Sequence, residues 1–269
     1  MSAINLDQTD SLLTLTQCEV TGVNQSGVAA TNKGISVATT AAEITSFTHS
    51  ASGRIALGAN LTITNGINLG ANTLTLSGAN QLSGGVITFN NGQSKIVQSG
   101  TGTIANNLIL ASFANPALDI DGTSTYSGTL SSNAAYQIDV ANNKVFKISQ
   151  NLDISNNLTK IGAGELILQN NVIQRANVAV NAGTLSHTSS NANNHYNYNS
   201  GTISGNGTFR IAGLFDCSGV TGTNCNVNTN AVDLSGAVTL DISGALGIVP
   251  NITLDNTLTI QDGGDLSGG

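Results

Sequence analysis

Acid–base or metal chemistry needs carboxylates that converge, and the closest pair in the sequence is Asp119 and Asp121 in LDIDGTS. Two residues apart in an extended strand, they project from one face about 6.5–7 Å apart. A glycosidase pair can use that separation, and so can a calcium ion bound by oxygens. The plainer expectation is an Asp-Gly turn closing an ordinary strand, and no metal is assigned to it. Asp262 and Asp265 in QDGGDLSGG offer the same chemistry, but complete neither a Gly-Gly-x-Gly-x-Asp calcium repeat nor an EF-hand loop. For nucleophilic catalysis the chain lacks Gly-x-Ser-x-Gly. His49, His187 and His195 stand in Ser/Thr/Asn-rich surroundings that suit solvated loop residues better than bases. Catalysis is not expected, and neither is a cofactor.

Binding is the other chemistry to look for. In SHTSSNANNHYNYNSG, residues 186–201, a polar stretch interrupts the surrounding pattern and carries His195, Tyr196 and Tyr198. Loops that leave a rigid scaffold often hold binding residues, and exposed tyrosines anchor glycans or proteins. The alternative is a wide Asn-rich corner whose tyrosines fold back over the chain. Of the three cysteines, Cys18 stands alone, while Cys217 and Cys225 in FDCSGVTGTNC enclose a Gly/Thr/Asn turn. That spacing suits a small-loop disulfide in an oxidising compartment, or two unpaired small core residues. It is not a CxxC pair, and a zinc site is not expected.

These residues have to be held by a scaffold with an unusual composition. The 269 residues are 39% hydrophobic but only 4% aromatic, with no Trp, so the core is expected in thin layers of Val, Ile, Leu and Ala. Charged residues are 9%, against roughly 25% in ordinary soluble domains, and Ser, Thr and Asn must wet the surface instead. The net charge is −7 and the 8 Lys and Arg are scattered singly. No basic stripe exists for phosphates, which excludes nucleic acid and anionic membrane as expected partners. No apolar run approaches the ~18 residues of a membrane span. The opening MSAINLDQTD has no basic and apolar signal regions, which fits a mature segment or a piece given an added initiating Met.

Period-2 alternation dominates. It appears in LTLT (13–16), NLTIT (60–64), NTLTLSG (72–78), YQIDVANN (136–143), VFKISQNLDIS (145–155), NVAVNAGTLS (177–186) and TLTIQDGG (257–264), among others. Most segments are short and end in Gly, Asn, Asp or Ser, the punctuation of strands. No helical apolar stripe of 11 or more residues interrupts them. LGANLTITNG is followed at once by LGANTLTLSG, with a further echo at LDNTLTIQDGG. Self-similarity without a fixed period, and turns rich in residues that accept positive φ, predict a right-handed parallel β-helix with coils of variable length. Coils of roughly 20–25 residues stack about 4.8 Å apart, and Asn side chains can hydrogen-bond from coil to coil. An immunoglobulin-type sandwich is the structural alternative, but the buried aromatic anchor it uses is not visible. One β-solenoid domain over residues 1–269 is expected.

LTKIGAGELILQNN, continuing to VAVNAGTLS, resembles the β-strand repeat of autotransporter passenger domains. Lys160, Gly162, Gly164, Leu166 and Leu168 match its first part, and Val180 to Leu185 match the Asn-Ala-Gly-Thr-Leu ending. The middle, NVIQRAN, departs from the usual Gly-Gly-Thr turn, and the good repeat covers about 28 residues. The resemblance implies export to the bacterial surface and adhesion to host cells, glycans or neighbouring bacteria. The passenger serine-protease motif Gly-Asp-Ser-Gly is missing, and no C-terminal barrel follows DGGDLSGG. The chain therefore reads as part of a larger exported, extracellular protein. Two rivals stand beside adhesion: a fibre subunit that self-associates by end-to-end stacking, and a carbohydrate-active enzyme that brings carboxylates together from neighbouring coils. Thr-x-Thr pairs such as Thr62/Thr64 resemble an ice-binding face, but do not recur coil after coil.

Overall fold

An alternating strand with one aliphatic face cannot bury that face alone. Here neighbouring coils bury it. The computed structural model describes strand segments between 4 and 76, then the chain from 82 to 217 except 90–91, 93, 111–113 and 189–194, then 225–234 and further strands as far as 268. Among the described residues there is no helix, and the strands pair in parallel. The protein is a β-solenoid, and the sandwich alternative falls because a sandwich pairs its strands antiparallel. Contacts divide the chain into two compact units, Met1–Ile138 and Asp139–Gly269, where the sequence pattern reads as one domain.

In the first unit one register column runs Leu13, Ile35, Ile55, Leu74, Ile96, Leu118. A second runs Val23, Phe47, Ile67, Ile87, Leu108, Leu130. Successive steps vary between 19 residues, from Ile55 to Leu74, and 24, from Val23 to Phe47. The coils do vary in length.

The second unit repeats the scheme. Phe146, Leu166, Leu185, Phe209, Val232 and Ile252 form one column, and Leu152, Val172, Tyr196, Phe215, Leu240 and Ile260 another. Alternation appears directly as burial: in Glu165–Leu168 the residues read half-buried, buried, half-buried, buried. Each fully buried Leu or Phe is worth about 1.5–3 kcal/mol, and every coil adds several. Two stretches that read as single strands are pairs. Val145–Ile148 and Leu152–Ile154 flank one corner, and Val178–Val180 and Thr184–Thr188 another.

The corners explain the polar composition. Asn157 Oδ1 accepts from the Asn177 backbone N–H at 3.2 Å, and Asn177 Oδ1 accepts from Thr202 N–H at 3.0 Å. Asn170 Nδ2 donates to the Ser149 carbonyl at 2.7 Å. Corner backbone left unpaired by the sheets is thus satisfied by a side chain of a neighbouring coil. In the repeat-like segment Gly162 has φ +73°, and a Cβ there would lie 2.3 Å from the Val140 carbonyl oxygen. Lys160 takes an inward position in register with Val180 and is fully buried. Its ammonium donates to the carbonyls of Ile161 and Gly162 at 2.7 Å and of Ala182 at 3.1 Å. Burial lowers its pKa to about 8, opposed by the charge of Asp139.

The expectation of a core without aromatic anchors is corrected. Tyr196, Phe209 and Phe215 pack with centroids 5.4–6.0 Å apart, and Tyr198 joins Phe215 at 6.2 Å. Four of the aromatics meet in these adjoining coils, while Phe89, Tyr126, Tyr136 and Phe146 are buried in earlier ones.

Candidate functional site

The strand Ile203–Ala212 departs from regular register. Ile203 to Gly205 oppose Val227 to Thr229, whereas Thr208 to Ile211 oppose Ala231 to Leu234. Asn206 and Gly207 therefore face Asn230 alone, the two-against-one count of a β-bulge, which bends a strand and re-aims its side chains. Beside it lies an open depression of about 300 Å³ lined by Ser204, Gly205, Asn206, Asn228, Thr229 and Asn230. Asn206, Asn228 and Asn230 are exposed and Ser204 is half-buried. Thr229 is buried, its hydroxyl donating to the Ala231 carbonyl at 2.9 Å. Among the described residues nothing engages the side chains of the other four. The depression thus offers hydroxyl and amide groups, both donors and acceptors, and no charge.

A charged ladder continues along the same two strands. Arg210 Nη1 donates to Glu165 Oε1 at 2.9 Å and Nε to Asp233 Oδ2 at 2.6 Å. The Ser186 hydroxyl, fully buried beneath, donates to Glu165 Oε1. The Asp233 hydrogen bond raises the Arg210 pKa; burial opposes that, and the charges of Asp233 and Glu165 add to it. Two carboxylates do converge here from separate coils, the condition a hydrolase sets. Arg210 stands between them and engages one oxygen of each, so the arrangement ties coils together, while Asp233 Oδ1 is buried without a hydrogen-bond partner among the described residues.

The chain matches no family model, no curated protein and no solved structure.

The residues singled out from sequence fall elsewhere. His195–Tyr198 is a strand, not a loop. Alternation turns Tyr196 and Tyr198 inward, leaving them 0% and 1% exposed, so they are corrected from ligand anchors to core residues. The Tyr196 hydroxyl donates to Gln174 Oε1 at 2.7 Å, and that of Tyr198 to the Gly201 carbonyl. His195 is half-buried beside them, its backbone N–H donating to Asn171 Oδ1 at 2.8 Å. His187, expected in solvent, is fully buried. His49 ends the strand Ala42–His49.

Cys217 and Cys225 are disulfide-bonded, with Cα atoms 6.4 Å apart, so the unpaired alternative falls. Cys18 lies outside the described residues. Asp119 accepts from Lys95 Nζ at 3.0 Å across neighbouring coils, while Asp121 follows the strand and is exposed. The carboxylate offered to calcium is thus already partnered by a lysine. Among the described residues no three His, Cys, Asp or Glu side chains cluster for a metal. Asp262 lies outside the described residues, and Asp265 begins the strand Asp265–Gly268.

Sequence reasoning missed the bulge and the ladder. The available signal was ISGNGTFRI, where Gly-Asn-Gly breaks the alternation, followed by a cation at an outward position.

Proposed function

We propose that the chain is a non-catalytic module of a bacterial cell surface that adheres by binding neutral glycans on host or neighbouring cells. The observation that carries this reading is the uncharged depression at the bulge. Sugar hydroxyls are donors and acceptors at once, and Ser204, Asn206, Asn228 and Asn230 present the complementary groups on a rigid sheet. A protein partner would be expected to anchor on aromatic or other large apolar side chains. Among the described residues the exposed large apolar side chain is Ile260, which does not line the depression. A shallow site without an aromatic platform binds one sugar weakly. Display of many copies on a surface compensates through avidity, by ~10²–10⁴-fold.

Surface location is supported by the likeness of residues 158–185 to passenger repeats, and the disulfide suits an oxidising compartment. The non-catalytic reading is supported by Arg210, which bridges the convergent carboxylates. The test is binding of the purified chain to an immobilised glycan panel, alongside a variant carrying N206A and N228A. Binding of uncharged oligosaccharides, recovered intact, with loss of at least tenfold in the variant at unchanged melting temperature, is the expected result. Equal binding by both proteins would place recognition elsewhere.

A further inference from the structure

His187 is a polar side chain in a register column that is otherwise aliphatic. Ile148, Leu168, His187, Ile211, Leu234 and Leu254 share a register column in the second unit. Leu168 and Ile211, above and below His187, are each 1% exposed, and His187 itself is 0% exposed. Its Nε2 lies 3.1 Å from the Asn170 carbonyl oxygen. A carbonyl only accepts, so Nε2 carries the ring proton and Nδ1 holds a lone pair. That Nδ1 is buried and has no hydrogen-bond partner among the described residues. The ring meets Tyr196 edge-on at 5.7 Å.

We propose that His187 is an acid-sensitive pin, which fills its column when neutral and forces the strand Thr184–Thr188 away from Leu168 and Ile211 when protonated. A second proton must sit on Nδ1, where no acceptor waits, and the resulting charge is shut away from water. Among the described residues the surrounding groups give no relief. From His195–Tyr198 come the neutral Tyr196 ring and His195, which repels once charged. From Glu165–Leu168 and Ile203–Ala212 the charged side chains are Glu165 and Arg210, which project from the opposite face and engage each other. Burial accordingly lowers the His187 pKa, with the Asn170 bond opposing and His195 assisting. A folded-state pKa below the unfolded one stabilises fully above the unfolded value of about 6.5, and that stability is lost as pH falls through the folded value. Ser186 and Arg210 adjoin the column, so its opening would also release the ladder.

The test is urea unfolding of the full chain at pH 7.5, 6.0 and 5.0 for the native sequence, H187L and H195N, with ring ¹⁵N shifts and amide exchange on the native chain. Below pH 6.5 the native unfolding equilibrium constant should rise by up to about tenfold per pH unit more than that of H187L, and H195N should keep most of the native slope, because burial outweighs the His195 repulsion. A slope in H187L equal to the native slope would overturn the proposal. Should H187L not fold, the native ring decides. Protonation of Nδ1 together with loss of amide protection in residues 184–188 supports the pin, and protonation with protection intact overturns it.

Discussion

Lys160 Nζ donates to the carbonyl oxygen of Ala182, 22 residues further along the chain and 3.1 Å away. With its bonds to Ile161 and Gly162, the ammonium closes the corner of its own coil and that of the next. Its charge is nevertheless disfavoured, because burial lowers the pKa to about 8. The unfolded chain holds this proton up to about pH 10.4. Between those values the unfolded state binds more protons, so the linkage contribution to stability rises with pH, by at most about 1.4 kcal/mol per unit.

Lys160→Met should therefore remove a pH dependence as well as a set of hydrogen bonds. In urea titrations between pH 8 and 10, the native chain should gain stability with pH relative to the variant. Tyr126 limits the window from above. Burial raises its pKa, so its contribution is complete below pH 10 and lost as pH climbs further. Parallel native and variant profiles would contradict the assignment.

Tyr196 gives the second prediction. Tyr196→Phe keeps the ring against Phe209 and Phe215 but strands the Gln174 amide oxygen, at a cost of about 1–3 kcal/mol. Tyr196→Ala empties the centre of the cluster and should cost about 3–5 kcal/mol. Glycan binding by the folded Phe variant should match the native chain, because the hydroxyl points into the core. Denaturant midpoints and a binding isotherm together separate this core role from that of a surface anchor.

That tyrosine also marks where the sequence stops being legible. Short parallel strands, variable coils and coil-to-coil Asn bonds all followed from alternation and from the frequency of Asn and Gly. HYNY alternates too, but with tyrosines at the inward positions and an Asn-rich run before it, which looks like a decorated loop. Burial there depends on Phe209 and Phe215, which lie in later coils and cannot be paired with Tyr196 without knowing the register. The ladder was hidden for the same reason. Glu165, Ser186, Arg210 and Asp233 stand in four successive coils, and unequal coil lengths prevent counting from one to the next. Lys160 was visible as part of a motif, but its inward direction follows only from its place in the strand Leu158–Ile161.

Arg210→Met is the third prediction. The substitution leaves Glu165 and Asp233 without their shared cation while retaining much of the apolar stem. All three are partly exposed, so solvent screening limits the loss to about 1 kcal/mol at low salt. The difference between native and variant should shrink as NaCl rises from 0.05 to about 1 M, where the Debye length falls to about 3 Å. A difference independent of salt would mean that the arginine stabilises through packing alone.

The most direct measurement of the adhesion account uses beads coated with the chain and intact cells as the target. Cells are tested before and after mild periodate, which cleaves vicinal diols of sugars and leaves peptide backbones intact. The account predicts adherence that survives 0.5 M NaCl, falls at least tenfold after periodate, and is absent from beads carrying the N206A/N228A variant. Adherence unchanged by periodate, or equal for native and variant beads, would contradict it.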